Sequence, residues 1–162
     1  MRDIPWVELG FLVLGAVLAL GGGLISEGLK SVTVGRVAAR LIESELRQNE
    51  AYLLEVRKRG PVGYYPRDLA WNAHPQALAA RVPASTLDET AIAYGEMRRL
   101  AVLLQSGEGR GGYGPTSDVG LAISEAVALS KQTRQHLKPW ARGDHDPATV
   151  RLYRRVRGRS DY

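Results

Sequence analysis

The sequence predicts an all-α chain: a single N-terminal transmembrane helix, a small cytoplasmic helical bundle, and a basic C-terminal tail. Three observations lead there. Leu9 to Ser26 is an eighteen-residue run without a charge. Beyond it, apolar residues recur at three- and four-residue spacing, with no strict alternation that would mark strands. Of a formal net charge of +5, +4 falls between Lys138 and Tyr162, which hold seven Lys/Arg against three Asp. The mean hydropathy of −0.19 therefore averages unlike parts. The absence of cysteine excludes a disulfide scaffold, a thiolate metal site and a cysteine nucleophile. A hydrophobic fraction of 44% argues against a disordered chain.

Residues 1–28 read as a transmembrane anchor. As a helix, the uncharged run is about 27 Å long, close to the roughly 30 Å hydrocarbon core. Trp6 precedes it, where an indole suits the headgroup boundary. A chain of 162 residues has little with which to surround a helix that is apolar on every face. A cleaved signal peptide is the alternative, with Ala19-Leu20-Gly21 as the cleavage site, although Asp3 and Glu8 offset Arg2 in its n-region. Lys30, Arg36, Arg40 and Arg47 follow the run and only Arg2 precedes it. That bias places the N-terminus outside the cell (inner) membrane and the C-terminal part in the cytoplasm. Gly15, Ala19 and Gly23 share one helix face, the small-residue pattern that lets a second helix approach closely in lipid.

Residues 29–137 read as a helical domain. Its first helix spans 31–59, with Val32, Gly35, Ala39, Ile42, Leu46, Asn49, Leu53 and Val56 forming a heptad-like seam. Within that seam Asn49 either fixes register through a buried hydrogen bond or lies half exposed, with Glu45 one turn earlier as a neighbour. Gly28 and Gly35 are the points where the rod could bend. Gly60-Pro61-Val62-Gly63 stops the helix. Short helices follow within 67–82, built on Leu69 and Trp71 and broken at His74-Pro75. The next helix spans 86–105 and opens with capping-box spacing at Thr86 and Glu89, Ser85 being the alternative N-cap. Leu87, Ala91, Tyr94, Ala101 and Leu104 form its apolar stripe. Ser106 to Gly114 is a glycine-rich loop. Ser117 and Asp118 then open the last helix, 117–137, with Val119, Ala122, Ile123, Ala126, Val127 and Leu129 as core candidates. The order Glu45-x-x-x-Asn49, then Trp71, then Tyr94 is similar to that of many uncharacterised bacterial single-span proteins over about residues 10 to 105. The resemblance implies no particular activity.

No motif calls for catalysis, a cofactor or a metal. Asp144-His145-Asp146 lies between Gly143 and Pro147, where the sequence signals a turn, with Asp146 as a cap ahead of Pro147 at the first helical position. Gly107 to Gly112 has G-x-G-x-x-G spacing, but a helix rather than a strand precedes it. No Walker lysine and no G-x-S-x-G elbow occurs.

Residues 138–162 form the basic tail. Arg151, Arg154, Arg155, Arg157 and Arg159 crowd into nine residues around Tyr153. Its candidate ligands are an acidic protein surface and anionic lipid headgroups, with nucleic acid disfavoured. The expected role is a non-catalytic single-pass accessory subunit that packs against other membrane protein subunits and stabilises their complex through its span, helical domain and tail. The alternative is a homodimeric membrane-anchored adaptor or sensor that signals through a coiled coil along the 32–56 seam.

Overall fold

A computed structural model describes residues 6–60, 65–106, 114 and 117–157, with side chains from Ser26 onward except those of Thr149, Tyr153, Arg154, Val156 and Arg157. The described residues contain helices and no strand. Helix α1 (Trp6–Arg59) is a single uninterrupted helix of 54 residues, about 81 Å long. It passes through Gly28 and Gly35 without a break. Gly60, at φ 81°, ends it and returns its amide to the Val56 carbonyl at 2.8 Å, a left-handed cap that glycine adopts without strain. The apolar run belongs to the part of α1 whose backbone is helical but whose side chains, up to Ile25, lie outside the described residues. Among the described residues no helix is long and apolar enough to cross a membrane.

Three long helices make the bundle: α1, α4 (Ala84–Ser106) and α5 (Asp118–Arg142). Short helices α2 (Leu69–Ala73) and α3 (Pro75–Ala79) lie between α1 and α4, and α6 (Ala148–Arg157) follows α5. The polar contacts give the directions. Arg40 Nε donates to the Ala141 carbonyl at 2.7 Å, and Ser130 Oγ donates to the Leu46 carbonyl at 3.2 Å. Position numbers thus fall on α5 as they rise on α1, so the two helices are antiparallel. Tyr94 meets Glu45 and Met97 meets Asn49, so α4 runs parallel to α1. That topology requires the chain to come back along the bundle between Gly60 and Pro83, and α2 and α3 are that return.

The core has two parts. Ala39, Ile42 and Leu46 pack with Leu78, Ala93, Met97 and Leu137 nearer the N-terminal half of α1. Leu53 and Val56 pack with Leu100, Leu104, Ala122, Ile123 and Ala126 at the other end. Small residues Ala122, Ala126, Ser130 and Ala141 on the buried face of α5 allow it to lie close along α1. Arg134 clips the same two helices by pairing with Glu43 and Glu50 of α1.

Several boundaries differ from those the sequence suggests. α4 begins at Ala84, so Thr86 is a buried member of its first turn rather than a cap. Its carbonyl instead accepts the Thr90 hydroxyl at 2.7 Å. α5 runs through Pro139 to Arg142, past the expected end at 137, and stops in a Schellman motif. Gly143, at φ 84°, donates to Trp140 and Asp144 donates to Pro139. Ser117 caps α5 as expected, accepting the Gly120 amide at 3.1 Å. Residues 148–157 of the expected tail are helical. The pieces in 67–82 resolve into α2 and α3, separated by His74 ahead of Pro75.

Gly35 lies where α3 and the residues just after it pass close to α1. A Cβ there would lie 2.9 Å from Arg81 Cβ and 3.0 Å from the Ala77 carbonyl oxygen. At Gly28 nothing stands within 4 Å. Gly35→Val is therefore expected to lose about 1–3 kcal/mol of stability through overpacking. Gly28→Ala should be neutral or gain up to about 1 kcal/mol from helix propensity. Thermal unfolding of both variants followed by circular dichroism in detergent checks the contrast.

Candidate functional site

Two polar centres sit on the inward face of α1. The first is Glu45 with Asn49. A five-residue helix cannot satisfy its first amides internally, and Asp68 at the N-cap of α2 makes no side-chain cap hydrogen bond. Glu45 caps α2 from a different helix: its carboxylate accepts Leu69 N–H at 2.8 Å, Ala70 N–H at 2.9 Å and Tyr94 O–H at 2.9 Å. One turn on, Asn49 is 2% exposed and reads the backbone of Arg67 in both directions. Its Oδ1 accepts the Arg67 amide at 2.8 Å and its Nδ2 donates to the Arg67 carbonyl at 2.6 Å. Trp71 stacks on Tyr94 with ring centroids 5.6 Å apart and 15° between planes. Burial first, and then the charge and hydrogen bond of Glu45, raise the Tyr94 phenol far above the usual tyrosine range. The phenol is held as a proton donor to a carboxylate that also caps α2. This arrangement stabilises the fold and leaves no free base facing solvent at that carboxylate.

Beside it, Trp71, Pro75 and Ala79 face Leu87, Asp88 and Ala91 across an open groove of about 300 Å³. Its walls are largely apolar. Among the described residues no group of three or more His, Asp and Glu side chains could hold a metal ion.

The second centre joins α1, the segment after α3, and the α5–α6 turn. Asp146, 2% exposed, forms ion pairs with Arg81 and, at 3.9 Å, with Arg36. The guanidinium of Arg81 also lies 5.7 Å from the centre of the Trp140 ring, against which His145 packs at 4.2 Å. Burial first, then the charge of Arg40, lowers the Arg36 pKa; burial first, then Arg36, lowers that of Arg81. Two guanidinium groups thus share one carboxylate in a poorly hydrated place. The sequence reading makes Asp146 a local helix cap; the long-range latch that its carboxylate forms with Arg36 and Arg81 is not part of that reading. Arg36, Arg81 and Asp146 are the residues that sequence reasoning misses. They are far apart in the chain, and no spacing rule connects them.

Each expected site residue has a place. Ile42, Leu46, Leu53 and Val56 are fully buried, and Asn49 is nearly so, all against α2, α4 and α5 of the same chain. The seam is filled by residues of the same chain. Gly15, Ala19 and Gly23 lie on the α1 backbone, with their surroundings outside the described residues. Arg151 and Arg155 are exposed on α6. Tyr153, Arg154 and Arg157 fall within α6, but their side chains lie outside the described residues, as does Arg159 entirely.

A third feature emerges on α1. Val34, Val37 and Leu41 are 54%, 44% and 44% exposed, and their spacing puts them on one stripe beside the buried face. Stepped back by three and four residues, the same stripe passes Lys30 and Glu27 and reaches Gly23, Ala19 and Gly15. No family model matches the chain, and no curated protein or solved structure matches it either.

Replacing Asp146 with Asn leaves Arg36 and Arg81 without their carboxylate. A loss of about 3–5 kcal/mol is expected, as for a broken buried ion pair, measured by urea unfolding. Replacing all three with Met, Met and Leu should recover most of it. The Tyr94 shift makes a separate prediction. With the folded pKa raised, stability holds below the unfolded value of about 10 and falls above it, as the unfolded phenol ionises and the folded one does not. Tyr94→Phe should therefore be less stable than wild type at neutral pH, yet lose less stability on going from neutral to strongly alkaline solution. Paired denaturation curves across that range test it.

Proposed function

We propose that this chain is a non-catalytic, single-pass accessory subunit of a larger membrane protein complex, docking through one face of α1. In this reading Leu9–Ser26 spans the cell (inner) membrane, with the N-terminus outside and the helical domain in the cytoplasm. The eighteen uncharged residues, the flanking Trp6 and the excess of Lys and Arg after the run support that orientation.

The observation that carries the reading is the stripe on α1. Because α1 has no break between the apolar run and the bundle, Gly15, Ala19 and Gly23 stand in helical register with exposed Val34, Val37 and Leu41. Small residues admit a neighbouring helix inside lipid, where close packing drives association. The exposed aliphatic residues would continue the same contact in water. A partner helix that leaves the membrane alongside α1 meets both. The buried carboxylate Glu45 is committed to backbone and phenol donors, which favours a binding role over acid–base chemistry.

A tagged chain extracted in mild detergent is expected to co-purify stoichiometrically with other membrane proteins. Val37→Lys combined with Leu41→Lys should abolish that association while leaving the thermal melt near wild type, since both positions are exposed. Gly15→Ile with Gly23→Ile should weaken it independently. A chain that runs alone, or only as a dimer, overturns the proposal.

A further inference from the structure

We propose that α6 is an interfacial helix that lies on anionic lipid headgroups beside the point where α1 enters the bilayer, an inference that rests on the anchored reading above. Two observations place it. Antiparallel packing returns the C-terminal end of α5 to the N-terminal part of the α1 bundle region, with Arg40 Nε on the Ala141 carbonyl at 2.7 Å. The Asp146 latch then ties the α5–α6 turn to Arg36. Arg36 is ten residues beyond Ser26, about 15 Å along the helix. α6 is itself ten residues, about 15 Å long. It therefore begins within about one of its own lengths of the end of the apolar run.

The composition of α6 suits that place. Residues 148–157 read ATVRLYRRVR, four arginines and no carboxylate. By helical position Ala148, Leu152 and Val156 share one side of α6, with Arg155 and Arg151 flanking it and Val150 opposite. Leu152 is 62% exposed, whereas Val150 is buried. The nearest carboxylate in sequence, Asp146, is already held by Arg81 and Arg36. A short helix whose exposed aliphatic position is flanked by exposed arginines fits the boundary between headgroups and acyl chains. Basic residues close to an anionic leaflet are attracted to it. A nucleic-acid surface would engage the arginines but leave the Leu152 side without a partner.

The chain has no cysteine, so Leu152→Cys provides a unique labelling position. The full-length protein would be reconstituted in nanodiscs of phosphatidylcholine alone and of phosphatidylcholine with phosphatidylglycerol. Hydrogen exchange would be followed over Leu9–Ser26 and over α6, alongside the emission of an environment-sensitive dye at position 152. In anionic discs α6 is expected to exchange at least about tenfold more slowly and the dye to shift to the blue, consistent with more than one basic residue engaging the leaflet. Replacing Arg151, Arg154, Arg155 and Arg157 with Gln, or adding high salt, should remove both effects while Leu9–Ser26 stays protected. Equal exchange of α6 in the two discs overturns the inference and leaves the anchor intact. Protection that appears only with an added protein partner or nucleic acid also overturns it. Free exchange of Leu9–Ser26 in both discs overturns the anchored reading and this inference together.

Discussion

A bundle in which α1 and α4 run parallel must return its chain from one end to the other, and that return has a backbone of its own to satisfy. Here it contains prolines 61, 66, 75 and 83 and two helices of five residues each. Such helices are too short to close their own hydrogen-bond ladders. Glu45 and Asn49 supply what is missing, on the buried side of α1. The carboxylate takes the first amides of α2, and the carboxamide takes both backbone groups of Arg67. An apolar residue at either position would leave part-buried backbone groups without these partners, at up to about 1 kcal/mol for each hydrogen bond.

The rest of the arrangement follows from that fixed return. With α2 pinned, Trp71 lies on Tyr94 and Arg98 of α4 reaches Asp68 and Asn72. With α3 pinned against Gly35, Arg81 stands beside Arg36, and the pair would be poorly tolerated without a carboxylate. Asp146 fills that need and draws the α5–α6 turn toward the end of the bundle from which the N-terminal part of α1 extends. Positive charge accumulates there through Arg36, Arg40 and Arg81, and α6 adds four more arginines. The internal cohesion of the domain and its proposed attachment to a membrane and a partner thus use neighbouring parts of a single helix. The inward face of α1 holds the bundle, and the stripe through Val34, Val37 and Leu41 stays open.

Helix existence was legible from period and punctuation. From Gly35 to Val56 the seam residues are buried, and Ser117 and Gly60 act as the cap and stop that their types suggest. Two expectations failed for physical reasons. Capping-box spacing at Thr86 and Glu89 does not start α4, because the helix already begins at Ala84, with the Pro83 carbonyl accepting Leu87 N–H, and Thr86 is taken into the core. α5 does not end at 137: it runs through Pro139 to Arg142, and the Schellman turn at Gly143 satisfies its last carbonyls. The candidate site was legible only in part. Glu45, Asn49, Trp71 and Tyr94 could be singled out as a pattern. That they converge on one cap could not be read, since a side-chain hydrogen bond to a backbone amide eighteen or more residues away has no compositional trace.

By itself, the sequence determined the all-α class, the long first helix, its buried face and the concentration of charge at the C-terminal end. These follow from local periodicity, capping residues and composition, which act over one or two helical turns. The tertiary structure alone decided what fills the seam, which way α4 and α5 run, and where the basic end lies. A heptad stripe states that a helix face must be buried, but not against what. Only the packing of α4 and α5 shows that the partners come from the same chain. Only the Asp146 latch shows that the arginine-rich α6 is held near Arg36 rather than at the opposite end of the bundle.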